Sequence, residues 1–430
     1  MDSSTAFYTA VAIFILTYVG IMSEKIPRTI CSLTGGGLMI YFGFVTQDQA
    51  IKNFIDFNTL GLLTGMMLLI AVVKKSGFFE AMALWAMKAS HGDARVLLIL
   101  LSVITGVSAS LIDSVTAALL IAPMTISLCR MMNITPVPIL IGEILMANIG
   151  GTALMVGNPP NVMIGSATHL DFNDFLINLA PAVIVTTVFT LIAVLLLFHK
   201  DLPAGKMSKT YLDAIQISSE IKDEKILKRS LAVLTLTIVG FVFHSAMGLQ
   251  SATIAMTGGL LAILVCGIEP ADALHEVDMD TLLFFMGLFI LVGGLETTGV
   301  ITAIAEWGIH LVGGDPITIT YLVLVLSGFA SAFIDNIPFT ATMIPLLKEM
   351  QDMLGLAHAD YMWWSLALGA CFGGNGTIIG ASPNVIMVAI AAKAGYNIPF
   401  GRFMLWCFPI MVMTIVVSGI YLYVRYFMGM

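Results

Sequence analysis

Apolar runs of 16 or more residues recur from one end of the chain to the other, each long enough to cross a hydrocarbon layer roughly 30 Å thick. In lipid every backbone amide and carbonyl must be bonded within its own segment, so such runs are predicted to be helices. Ten full crossings are expected, at 5–22, 29–46, 58–73, 136–168, 172–199, 230–248, 252–268, 280–296, 361–392 and 399–427. Segments 95–131 and 317–351 are apolar too, but each has a polar break with an Asp at its centre. Each is therefore expected to be a hairpin that enters and leaves the membrane on one side. Only 11% of residues are charged, against roughly 25% in ordinary soluble domains, which excludes a water-soluble fold. The start, MDSSTAFYTA, has no basic n-region and no small-residue cleavage site, so the first run is expected to be a retained span.

Sliding the sequence by 222 positions lays residues 55–124 on 277–346, with 17 of the 70 pairs identical. The coincident residues include Asp56 with Asp278, Gly65 with Gly287, Trp85 with Trp307, Asp113 with Asp335 and Pro123 with Pro345. One position further on, GGTALMVGNPPNV (150–162) lies on GGNGTIIGASPNV (373–385), and TGG at 34–36 lies on TGG at 257–259. Each copy holds five crossings, an odd number, so the copies are inverted in the membrane. The predicted fold is an all-α polytopic membrane protein of about ten spans plus two re-entrant hairpins, divided into 1–199, a linker at 200–229, and 230–430. With the linker in the cytoplasm, only Lys52, Lys348 and Arg425 of the 19 basic residues fall outside. Both termini are then expected to be external, with the chain in a bacterial or archaeal inner membrane. The linker itself is expected to be a solvated connector with a short surface helix in its second half, and a possible docking point for a cytoplasmic ATPase. Segments 78–90 and 300–312 look amphipathic and are expected to lie along opposite membrane faces.

An ionised Asp at the centre of a span costs roughly 2.5–3.5 kcal/mol on insertion scales, so Asp113 and Asp335 need a reason. The second pair of breaks, GNPPN (157–161) and GASPN (380–384), must unwind its helices, because Pro has no amide to donate and clashes with the preceding turn. Freed backbone groups at that depth line a protein-enclosed or wet cavity, where helix N-termini favour an oxyanion and carbonyls a cation. The side chains at the breaks are neutral hydrogen-bonding groups: Ser114, Thr116, Asn148, Thr152, Asn158 and Asn161 in one copy, and Asn336, Thr340, Asn375, Thr377, Ser382 and Asn384 in the other. No Lys or Arg lies in any break. That composition suits a small neutral or singly charged solute, with a proton or sodium ion at the two Asp residues. Glu143 is a third intramembrane carboxylate and a candidate for coupling, set against a purely structural role. His244 reads as interfacial, and the 28 methionines as core filler rather than a metal site. Five scattered cysteines have no ligand spacing, and HExxH, GxSxG and GxxxxGK[ST] are missing, so neither a metal, a cofactor nor enzyme chemistry is expected. No nucleic-acid partner is expected either.

At these motifs the chain resembles the ion transporter superfamily, in the branch that holds the ArsB arsenite permeases, NhaD-type antiporters and the melanosomal P protein. The stretches that carry the resemblance are IGGTALMVGNPPNVMIGSA, SAFIDNIPFTATMIP and GNGTIIGASPNVIMVAIAAKAG. The resemblance implies a homodimer in which a scaffold holds a mobile transport domain that moves like an elevator. It implies site roles for Asp113, Ser114, Asn158, Asn161, Asp335, Asn336, Ser382 and Asn384. Relatives with Ser-Asn-Thr motifs bind sodium and carboxylates, whereas Asp-Ser, Asn-Pro-Pro-Asn and Ser-Pro-Asn stand here, which weakens a carboxylate reading. Arsenite or antimonite efflux by proton antiport is therefore the first expectation, since arsenic hydroxide is small and neutral. A sodium/proton antiporter, a sodium-coupled anion or carboxylate permease, and a passive channel are the alternatives. Cys371 is a conceivable thiol ligand for arsenic but reads as a packed small residue.

Overall fold

Duplicated aspartates set the starts of the helices that carry the fold. In the computed structural model, which describes residues 2–23, 25–168, 170–203, 217, 220–313, 315–355 and 359–428, the described residues form helices and turns and no strand. The first copy contains α1 (Ser3–Met22), α2 (Arg28–Tyr41), α3 (Phe57–Lys75), α4 (Phe78–Ala89), α5 (Ala94–Leu111), α6 (Ser114–Met131), α7 (Val137–Gly151), α8 (Pro159–Ala167), α9 (Phe172–Asn178) and α10 (Ala180–Leu197). The second contains α11 (Glu224–Phe243), α12 (Ser251–Cys266), α13 (Met279–Thr297), α14 (Val300–Val312), α15 (Pro316–Phe333), α16 (Asn336–Leu354), α17 (Asp360–Gly373), α18 (Ser382–Lys393) and α19 (Phe400–Leu422). Asp56 and Asp278 cap α3 and α13, Asp93 and Asp315 cap α5 and α15, and Asp113 and Asp335 cap α6 and α16. In each case a carboxylate oxygen accepts from first-turn amides that otherwise have no partner, typically about 1 kcal/mol of stabilisation per cap.

The shift of 222 carries the bounds of α3 onto α13 and of α5 onto α15, and a shift of 223 carries the turn Met155–Gly157 onto Ile378–Gly380. Lys74 and Lys75 at the end of α3 pair with Glu276 and Asp272, just before α13 begins, both at 2.7 Å. The end of one helix thus meets the start of its counterpart, so the two run in opposite directions. Lys75 holds the Asp272 carboxyl below the usual carboxylate range. Matched close crossings join the copies: a Cβ on Gly36 would lie 2.8 Å from the Gly287 carbonyl, and one on Gly259 would lie 2.6 Å from the Gly65 carbonyl. Small residues allow this approach in a membrane, where packing rather than water drives association.

The backbone amide of Lys222 donates to the Ser76 carbonyl at 3.0 Å, fixing the end of the linker beside α3. That side is the linker face of the molecule. Hairpin α5–α6 is rooted there, where Arg95 reaches the Leu202 carbonyl. Hairpin α15–α16 is rooted at the other face, where α13 ends and Thr302 bonds Glu349. Most of the linker, including much of the expected surface helix, lies outside the described residues; α11 begins at Glu224, capped by Asp223, ahead of the expected span start at 230.

Nine helices among the described residues are long and apolar enough to span a membrane. Three of them, α5, α6 and α15, are hairpin arms. Four of the ten expected crossings fail the length test for two reasons: α2 and α12 are short, and 136–168 and 361–392 are each broken into two helices. The expected amphipathic segments are α4 and α14, with Trp85 and Trp307 exposed; Ala83, Ala86 and Met87 of α4 bury against Leu97 of α5 and Ala118 and Ala122 of α6.

Candidate functional site

Each broken span stops at a glycine and restarts at a proline-containing turn. Helix α7 ends at Gly151 and α8 restarts at Pro159, where the missing amide costs nothing because first-turn amides have no helical partner. Two of the carbonyls freed between them are bonded by a single side chain. Asn161 Nδ2 donates to the Thr152 and Leu154 carbonyls at 2.9 and 3.0 Å. Asn384 does the same in the second copy, donating to the Gly374 and Thr377 carbonyls at 2.7 and 2.8 Å. The two breaks also touch each other. Asn148 Nδ2 donates to Asn384 Oδ1 at 2.9 Å and to Asn375 Oδ1 at 2.8 Å. By the shift of 223, Cys371 is the counterpart of Asn148, and its Sγ lies 3.8 Å from Asn161 Oδ1. The cysteine thus fills the place of an amide in a buried polar junction.

Beside this junction lies a cavity of about 150 Å³. The hairpin tip supplies Asp113 and Thr116, the helix restarts supply Pro159 and Ser382, and the start of α13 supplies Asp278 and Thr281. Apolar residues of α3, from Leu62 to Ala71, form one wall, and Lys74 and Glu276 stand at its linker-face end. Asp113 Oδ1 accepts from the Val115 and Thr116 amides at 2.8 and 2.9 Å. A second cavity, about 320 Å³, holds Asp335 and Tyr18 and shares Arg28 and Ser382 with the first.

Arg28 is the residue that sequence reasoning passes over. The breaks contain no basic side chain, yet the first residue of α2 reaches between them. Its Nη1 donates to Ser382 Oγ at 2.7 Å and its Nη2 to Thr281 Oγ1 at 3.2 Å, and its guanidinium lies 5.1 Å from the Phe284 ring centroid. Ser382 Oγ in turn donates to Asp335 Oδ2 at 3.0 Å, and Arg28 Nη1 is 3.6 Å from that oxygen. The cavity is therefore not free of basic groups, as the composition of the breaks suggested. In sequence Arg28 looks like one more linker-side charge before an apolar run; the available signal is that its repeat counterpart is Ser251, so it breaks the symmetry.

Of the residues singled out from sequence, Asp113, Thr116 and Ser382 line the first cavity and Asp335 the second. Asn148, Thr152, Asn161, Asn375, Thr377 and Asn384 are fully buried in the junction, where they hold the unwound backbone. Thr152 Oγ1 donates to the Asn148 carbonyl at 2.8 Å and Thr377 Oγ1 to the Ala332 carbonyl. Ser114, Asn158, Asn336 and Thr340 are buried beside it and line neither cavity. Glu143 is buried in α7, with one oxygen accepting from Thr125 of hairpin α5–α6 and no lining role in either cavity.

Two inverted copies whose hairpin tips and broken helices meet at a cavity define a secondary transporter rather than an enzyme. The chain belongs to the CitMHS family, described as citrate transporters, within the ion transporter superfamily; the match spans residues 18–369. It is 38% identical to an uncharacterized transporter of Mycobacterium tuberculosis over 97% of this chain and 98% of that one. It is also 33% identical to the human P protein over 97% of this chain and 60% of the relative. Among solved structures it matches the YdaH transporter of Alcanivorax borkumensis, reported to have an unusual topology, with a TM-score of 0.67 at 14% identity, covering 99% of this chain and 98% of the other. It matches MtrF of Neisseria gonorrhoeae, described with a class of antimetabolite efflux pumps, with a TM-score of 0.62 at 14% identity, covering 97% and 95%.

Proposed function

We propose that the chain carries a small carboxylate or similar oxyanion across the membrane together with a coupling cation. The observation that carries this reading is the Arg28 guanidinium, held between Ser382, Thr281 and Asp335 where the two cavities meet. A planar guanidinium presents paired donors that match a carboxylate. The helices that restart at Pro159 and Ser382, both on the lining of the first cavity, add the positive ends of their dipoles. The family's description as citrate transporters points the same way. Asp113 and Asp335 are the candidates for binding a proton or sodium ion. Movement would take the hairpins and broken helices past α1–α3 and α11–α13 in an elevator-type step, within a homodimer.

Arsenite or antimonite efflux by proton antiport is the second reading, supported by the neutral Asn, Ser and Thr groups around the breaks. A cavity without a basic group would favour it, and Arg28 on the lining weighs against it. Cys371, buried against Asn161 and away from both cavity linings, adds nothing to it. Purified protein in proteoliposomes, offered labelled citrate, succinate, arsenite and antimonite under separate proton and sodium gradients, separates the two. Gradient-driven accumulation of a carboxylate is expected. Accumulation of arsenite alone, driven by an inside-acid gradient, would replace this reading with the second, and conductance far above carrier turnover would indicate a channel.

A further inference from the structure

The two hairpin aspartates are equivalent in sequence and in capping role, but not in what faces them. Asp113 has its capping amides and no basic partner at ion-pair distance among the described residues. Asp335 Oδ1 accepts from the Ile337 amide, while its Oδ2 faces Ser382 Oγ at 3.0 Å and Arg28 Nη1 at 3.6 Å. Among the described residues, the only other titratable group lining that cavity is Tyr18 of α1, whose hydroxyl donates to the Pro338 carbonyl at 2.6 Å and lies 2.7 Å from Thr342 Oγ1. Across Arg28, in the first cavity, stand Asp113 and Asp278, with Lys74 and Glu276 paired to each other at its end. Among the described residues lining the second cavity, Arg28 is thus the sole positive charge opposite the Asp335 carboxylate.

An arriving anion and Asp335 need the same guanidinium. When the anion takes it, Asp335 is left as a partly buried carboxylate without a countercharge, which is unfavourable unless a cation neutralises it. We propose that Asp335 and the transported anion compete for Arg28, so that one monovalent cation, a proton or a sodium ion, is taken up at Asp335 with each anion bound. This rests on the reading of the site as an anion site. It assigns coupling to one of the two repeated aspartates, and it makes anion and cation bind cooperatively, each raising the affinity for the other by the same factor.

The test is calorimetric titration of the purified full-length protein with citrate and succinate. A proton arm uses sodium-free buffers of different ionisation enthalpy, and a sodium arm uses a sodium series at fixed pH. The wild type is expected either to take up about one proton per anion or to show an apparent Kd that falls about tenfold for a tenfold rise in sodium. D335N, checked for an unchanged elution profile, is expected to lose that dependence. Wild-type binding with neither proton uptake nor sodium dependence overturns the coupling device while leaving the anion site standing. D335N that keeps the wild-type dependence also overturns it. A wild type that binds no carboxylate overturns the anion reading itself, and the coupling device with it.

Discussion

Asn161 and Asn384 each hold two carbonyls of an unwound helix with one amide group. A buried carbonyl left without a donor costs about 1–3 kcal/mol, so N161A and N384A are each expected to lower stability by at least that much. Thermal unfolding in detergent measures it, and an unchanged midpoint would contradict the role. The same two residues show what a sequence can disclose. Pro-Asn after a glycine marks a break in an apolar run, and the repetition of that pattern marks it as deliberate. What the Asn does at the break is not legible, because its partners are backbone atoms whose positions exist only once the helix has parted. Arg28 is illegible for a different reason: it meets Ser382 only through the fold, 354 residues away along the chain.

At the scale of elements, the closest crossings are repeated. A Cβ on Gly150 would collide with the backbone of Gly106, and one on Gly373 with that of Gly328, its repeat counterpart. Overpacking of this kind costs about 1–3 kcal/mol, and the obstacle here is rigid backbone rather than a mobile side chain. G150A and G373A are therefore expected to destabilise by similar amounts, measured by the loss of monodisperse protein on heating; tolerance of both would contradict the packing. The hairpins, the broken spans and the shared register are all legible, since Asp, Pro and Gly leave local marks. Span lengths are less so: α2 and α12 are short, and α11 starts early at a capping Asp rather than where hydrophobicity begins. Hydropathy reports where lipid contact is favourable, whereas the cap decides where a helix starts.

For the whole molecule, the cavity between α3 and the tip of hairpin α5–α6 reaches Lys74 and Glu276 at the linker face. Met67, on its wall, offers a probe of that access, because all five native cysteines are buried. M67C is expected to react with a membrane-impermeant thiol reagent in inside-out vesicles and to be spared in intact cells. The reverse pattern would contradict either a linker-face cavity or the expectation that the linker is cytoplasmic. The inverted architecture follows from the odd number of crossings per copy, which the sequence already carries; the asymmetry that, among the described residues, gives one aspartate a cationic partner and the other none appears only in three dimensions.

Whether Arg28 makes this an anion site is tested by gradient-driven uptake of a labelled carboxylate by wild type and R28Q in proteoliposomes. Hydrogen bonds to a charged partner contribute about 1.5–3 kcal/mol, so R28Q is expected to lower kcat/KM roughly 10- to 150-fold. R28K, which keeps the charge but not the planar donor pair, is expected to fall between the two. Carboxylate uptake by R28Q at the wild-type rate would contradict an anion site at Arg28.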